Sequence, residues 1–279
     1  MTVVSADAIR LSEVGVSFGP VEAARDITLT IPSGQFVSLI GPSGCGKSTL
    51  LSVVAGLEKA SRGTVAVNGQ AGMVFQEAAL FPWRNLRDNV SFGLEMRGGL
   101  SKAEQKARAS EALRQVHLSR FADSYPHQLS GGMRQRAALA RALVLDPSIL
   151  LMDEPFGALD AQTRSLLQAE LLAVWERTRK TVLFVTHSLD EALFLSDRIV
   201  LLSARPGRVV GDYLVNAPRP RDPRTDSALA ALRSRLLAQL SHEIETVARA
   251  EHDTDWQAEI DAPRTPPEPQ ARENIGADI

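Results

Sequence analysis

The sequence predicts an α/β fold built on a parallel sheet, and three observations carry that prediction. First, "SILLMDEP" and "TVLFVTH" are short apolar runs ending in polar residues. The helical run "AQTRSLLQAELLAVWERTRK" separates them, which is a βαβ pattern. Second, "FVSLI" is apolar apart from one Ser, as a strand buried on both faces would be, and leads through a glycine-rich turn into the apolar helical run "LLSVVAGL". Third, function in such sheets gathers where strands end, and both patterns place polar residues there.

Taken in order, the chain opens on β-rich runs, "IRLSEVGVSF", "DITLTI" and "GQFVSLIG", with Pro32, Ser33 and Gly34 marking a turn between the last two. From about Leu100 to Leu145 the pattern is helical, and Ser101 and Glu104 have capping-box spacing. Within it, Ser130 reads as an N-cap, and Gly131 and Gly132 leave the helix start open to an anion. After "DRIVLLSARPGRVVGDY" the prolines and charges of "NAPRPRDPRTD" read as a linker. Leu229, Leu232, Leu236, Leu237, Leu240 and Ile244 then fall on one face of a helix, which is expected to pack on its own domain. The expected organisation is one large unit over residues 1–215 with a helical part at about 86–145, a linker and amphipathic helix over 216–250, and a disordered tail over 251–279.

The chain has 279 residues, is 44% hydrophobic and 23% charged, and carries a formal net charge of -2. That balance with scattered arginines gives no basic field for nucleic acid. Cys45 is the single cysteine, so no intrachain disulfide can form and a reducing compartment fits. No segment reads as a secretion signal and no window approaches the ~18 apolar residues of a membrane span, so a soluble cytoplasmic chain is expected.

Chemistry concentrates in two stretches. "GPSGCGKST", residues 41–49, follows a buried strand and precedes a helix, the context a phosphate-binding P-loop needs for its backbone N–H groups to converge on an anion. Gly41, Pro42, Ser43, Gly44, Cys45, Gly46, Lys47, Ser48 and Thr49 are therefore expected around a nucleotide's phosphates. Lys47 would bridge the β- and γ-phosphates, and Ser48 would ligate magnesium. Cys45 is expected to fill a variable position with a small side chain. A helix N-terminus would lower its pKa, so thiol reagents blocked by nucleotide are a second expectation there. "ILLMDEP" delivers Asp153 to a strand end, where a carboxylate can hold magnesium, and adjacent Glu154 can serve as base or water-orienting group.

"GPSGCGKST", "LSGGMRQR", "ILLMDEP", "GALD" and "VTH" occur in the order and spacing of an ATP-binding-cassette (ABC) ATPase, a family that the chain resembles over about residues 9–215. The resemblance implies a P-loop NTPase with a RecA-like core on a mixed sheet, an N-terminal antiparallel β part and an inserted helical subdomain. It implies ATP and Mg2+ as ligands, and two copies paired head to tail so that Ser130, Gly131 and Gly132 of one contact the nucleotide held by Lys47 of the other. The two glycine-rich turns would then be halves of one site.

Further residues take roles by the same resemblance. Phe18 would stack on adenine, where many members have Tyr. Gln76 would approach magnesium and the attacking water, Asp160 would link the two sites across the dimer, and His187 would contact the γ-phosphate and orient Glu154. "FQEAALFPWRNLRDNVSFGL" resembles the importers of the nitrate, sulfonate and taurine group. That implies membrane permease subunits as partners, a periplasmic solute-binding protein indirectly, a place at the cytoplasmic face of the bacterial inner membrane, and no nucleic acid. Trp83 could equally be core or a permease contact. The alternative is a soluble cassette ATPase acting on DNA or ribosomes, though this chain lacks the tandem cassettes, long insertions or basic arms usual there. A nucleotide-gated scaffold without turnover is disfavoured because Glu154 and His187 are both present.

Overall fold

The computed structural model describes residues 7–157 and 159–251. The antiparallel part comprises β1 (Asp7–Phe18), β2 (Val21–Pro32) and, after β3 (Phe36–Ile40) and α1 (Lys47–Val54), β4 (Arg62–Val67), in the order β2-β1-β4. Alternating buried and exposed residues along β1 and β2 give this sheet one face for the core.

The second sheet adds β5 (Ala71–Val74), β6 (Ile149–Asp153), β7 (Thr181–Val185), β8 (Arg198–Leu202) and β9 (Val209–Leu214), in the order β5-β6-β7-β3-β8-β9. Its first five strands run parallel and β9 closes it antiparallel. Strands β3 and β7 are buried at every residue, which accounts for their unbroken apolar runs.

Between β5 and β6 the chain leaves the sheet for α2 (Leu86–Arg97), α3 (Lys102–Gln115) and α4 (Gly131–Leu143). The capping box at Ser101 and Glu104 is formed, and Ser130 caps α4 by accepting from the Met133 N–H at 3.3 Å. These helices share one apolar cluster with the sheet and with α5 (Ala161–Thr178), through Leu86, Val90, Leu113, Leu171 and Phe184.

The last helices are α6 (Leu189–Leu195) and α7 (Ser227–Glu251). Leu229, Leu236 and Leu240 bury against Leu189, Leu193 and Ile199, but Leu237 and Ile244 are exposed, so the apolar stripe is narrower than the leucine spacing suggested. The segment read as a linker is also packed. Arg221 is buried and donates to the carbonyls of Ala217 and Ser196, while Arg219 bonds Asp197 at 2.6 Å and lies over the Trp175 ring. Burial pushes the Arg221 pKa down to about 10. Its prolines and charges looked flexible because its arginines also reach the Leu195 and Ser196 carbonyls, which lie far back in the sequence. The tail expected to be disordered lies, from residue 252 on, outside the described residues.

Candidate active site

Four adjacent parallel strands bring the chemistry together. In sheet order, β5 leads to Gln76, β6 ends on Asp153 with Glu154 next, β7 leads to His187, and β3 leads into the glycine-rich turn. The turn's form follows from its glycines. Gly46 caps α1 with φ +94°, and a Cβ there would sit 2.6 Å from the Ala23 carbonyl oxygen, so only glycine fits. Lys47 is buried and donates to the carbonyls of Gly41 (2.9 Å) and Pro42 (2.7 Å), which holds its ammonium inside the curve of the loop.

Ser43, Gly44, Gly46, Lys47, Ser48 and Thr49 line a cleft of about 320 Å³ with Phe18, Val21, Ala23, Glu154 and Arg205. Phe18 is 47% exposed at its rim, which leaves a ring face open for a base to stack upon. The Ser48 hydroxyl donates to Asp153 at 2.9 Å. Burial pushes the Asp153 carboxyl above its ordinary range; the Ser48 hydrogen bond and Lys47 oppose that push and the charge of Glu154 adds to it. A cation beside Asp153 would relieve that penalty. Ser48, Asp153 and Gln76 are hard oxygen donors, which fit magnesium sharing its sphere with phosphate oxygens and water. Among the described residues no group of three or more His, Cys, Asp or Glu forms a metal cage.

Glu154 occupies the left-handed region at φ +42°, an unusual conformation for a residue with a side chain, and its N–H donates to the Val185 carbonyl at 3.0 Å. His187 Nδ1 lies 3.1 Å from Glu154 Oε2. A Cβ placed on Gly157 would lie 3.6 Å from Gln76 Nε2 and 3.7 Å from Glu154 Oε2, so these two side chains flank one small space. The strand ends thus assemble a carboxylate, an imidazole and an amide at one edge of the cleft.

Other residues stand apart. Ser130 and Gly131 are exposed and Gly132 packs on α5, where a Cβ would meet Thr163 Cγ2 at 2.5 Å; none of the three lines the cleft of its own chain. Asp160 caps α5, and the Thr163 and Gln162 N–H groups it accepts from hold its carboxyl below the ordinary range. Cys45 corrects an expectation: it is fully buried, and burial raises its thiol pKa against the opposing pull of Lys47. The helix N-terminus does not activate it, because its side chain points into the core beneath the loop.

Sequence reasoning missed Arg205 on the cleft wall. The hairpin between β8 and β9 brings it there by docking on β2, where the Gly207 N–H donates to Ala23 and the Arg25 N–H to Gly207. It also missed Gln135 and Arg141 of α4, which donate to the carbonyls of Phe75, Ala78 and Ala79 around Gln76. No local pattern marked either, since each acts on a backbone far away in sequence.

Comparison with known proteins agrees with this geometry. The family model described as "ABC transporter" matches residues 24–157. An uncharacterized ABC transporter ATP-binding protein of Methanocaldococcus jannaschii is 48% identical, covering 80% of this chain and 86% of that protein. An aliphatic sulfonates import ATP-binding protein of Bacillus thuringiensis is 43% identical over 84% of this chain and 96% of its own length. A taurine import ATP-binding protein of Rhizobium johnstonii is 44% identical over 84% and 91%. Among solved structures, a dimeric ATP-binding cassette in a post-hydrolysis state with ADP and Pi superposes with a TM-score of 0.67 at 34% identity, covering 75% of this chain and all of that one. With its P-loop, strand-end carboxylates and separate glycine turn, the chain belongs to the ABC transporter ATP-binding family and is an ATPase that uses ATP with magnesium.

Proposed function

We propose that this chain is the motor subunit of an importer: two copies close head to tail on two ATPs, hydrolysis reopens them, and membrane permease subunits receive the motion. The observation that carries the reading is the 43–44% identity to sulfonate and taurine import ATP-binding proteins over nearly their whole length. The solute would be a small anion of the nitrate, sulfonate or taurine type. The working place would be the cytoplasmic face of the inner membrane, reached through the permease, since no helix among the described residues is long and apolar enough to cross a membrane.

The exposed aromatic surface on the loop that follows Gln76 supports a protein partner there. Trp83 is 71% exposed and packs at a tilt against Phe81, which in turn meets Phe92 edge to face. Aromatic side chains left in water on a loop that Gln135 and Arg141 pin to α4 suit a contact whose movement must reach the site.

In the reaction, Lys47 and the backbone of the P-loop hold the β- and γ-phosphates, and Ser130, Gly131 and Gly132 of the second copy close over the γ-phosphate. Ser48, Asp153 and Gln76 would hold magnesium, which supplies charge neutralisation at the phosphates. Glu154 orients water for in-line attack and takes up its proton, and His187 holds Glu154 in place through the 3.1 Å contact. Phe18 carries the base.

The test is reconstitution in vesicles with a permease encoded beside this chain's gene. ATP-driven uptake of a sulfonate, taurine or nitrate, lost in Lys47→Ala, is expected. ATP hydrolysis that responds to DNA or ribosomes and never to a permease would overturn the reading.

A further inference from the structure

The side chains between the loop of Asp160 and the loop of His187 form a continuous polar chain that the reaction outlined above does not use. Arg164, on the first turn of α5, donates from Nη2 to the Leu159 carbonyl at 2.9 Å, next to Asp160. Its Nε is buried without a hydrogen bond and lies 3.7 Å from Glu191 Oε1. Glu191 is buried, accepts from Gln168 Nε2 at 3.1 Å, and through its other oxygen accepts from the Thr186 hydroxyl at 2.6 Å. Thr186 Oγ1 in turn accepts from the Ser188 N–H at 3.0 Å, so His187 is clamped on both flanks.

We propose that Arg164 and Glu191 are positioning residues that tie the orientation of His187 to the loop carrying Leu159 and Asp160, so that a second copy engaging Asp160 sets the contact between His187 and Glu154. The inference rests on the motor reading above, in which Asp160 faces the partner. A buried carboxylate with one short, directed bond and one slack ionic partner suits this task. The Thr186 bond fixes the loop of His187, while the 3.7 Å separation lets movement at Leu159 tighten or loosen the pull of Arg164. Glu191 touches no reacting atom; it acts through Thr186 and His187.

The test is a double-mutant cycle on the full chain, reading kcat, KM and nucleotide affinity, with thermal melts to confirm folding. Glu191→Gln keeps the shape and an acceptor for Thr186 but removes the charge that Arg164 answers. Arg164→Ala leaves Glu191 its Thr186 and Gln168 partners, and so gives a second route should the first variant fold poorly. Each is expected to lower kcat about tenfold with ATP affinity within about twofold, with Arg164→Lys restoring part of the loss. In a His187→Ala background neither should lower kcat further, because the group they position is gone. Losses that multiply with that of His187→Ala, or a change in KM alone, would overturn the relay while leaving the motor reading intact. A His187→Ala variant with unaltered kcat would overturn the role of His187 and the relay with it.

Discussion

The two glycine-rich turns of this chain look alike in sequence and differ in what their own chain asks of them. In the P-loop, Gly46 has φ +94° and stands against the Ala23 carbonyl, and Lys47 is held by two loop carbonyls, so the turn is specified by intrachain contacts. In the turn before α4, Gly131 is exposed and a Cβ there would meet nothing closer than 3.7 Å. Its own fold has no use for a glycine at that position. Gly132 of the same turn has a local reason, since a Cβ there would meet Thr163 Cγ2 at 2.5 Å; for Gly131, which has none, we propose an approach from outside, which a nucleotide on a second copy would supply.

The sharpest break between the turns comes from the residues that act on the phosphates. Glu154→Gln should lower hydrolysis by about 10²–10⁴-fold while retaining ATP, read by steady-state phosphate release and nucleotide binding. Next comes the glycine contrast itself. Gly46→Ala should destabilise the fold by about 1–3 kcal/mol and abolish ATP binding, because a Cβ meets backbone in a left-handed conformation. Gly131→Ala should leave the melting temperature unchanged or slightly raised and monomer ATP binding intact, yet lose ATP-dependent association. Equal destabilisation by the two would erase the distinction.

Asp153→Asn should abolish magnesium-dependent turnover without destabilising the nucleotide-free protein. The sign follows from the raised carboxyl: a group whose folded pKa lies above its unfolded value binds protons more tightly when folded. Its contribution to stability therefore falls as pH rises through the window that starts at the ordinary aspartate range, and neutral Asn escapes that penalty. Stability measured against pH should fall more steeply through that window in the wild type than in the variant. Smallest is the thiol: buried Cys45 should label at the rate of unfolding, with or without ATP, and fast labelling blocked by nucleotide would contradict its placement.

How much of this was legible in the sequence depends on how local the cause was. Strand β3, the P-loop and the start of α4 follow from neighbouring residues: an apolar run, glycines that permit one turn, a Ser that caps. The separation of Ser48 from Asp153 by 105 residues closes only because β3, β7 and β6 lie side by side, yet each residue was marked by its own strand end. Arg205, Gln135, Arg221 and Glu191 carried no such mark. Gln135, Arg221 and Glu191 each bond groups that tertiary packing brings near, and Arg205 reaches the cleft wall only because its hairpin docks on β2, so periodicity and spacing were silent about them. The leucine stripe of α7 failed in the opposite sense: spacing set the face, but the neighbours α6 and β8 cover only part of it.

The claim that the bare turn serves a second copy is tested most directly by Ser130→Asp in the Glu154→Gln background. Asp is as good an N-cap as Ser, so α4 should keep its start, while a negative charge now faces the γ-phosphate of the other copy. Light scattering with ATP and magnesium should show dimers for Glu154→Gln alone and monomers for the double variant, with ATP binding to the monomer unchanged. Dimers that persist, or ATP binding lost in the monomer, would contradict a site divided between two chains.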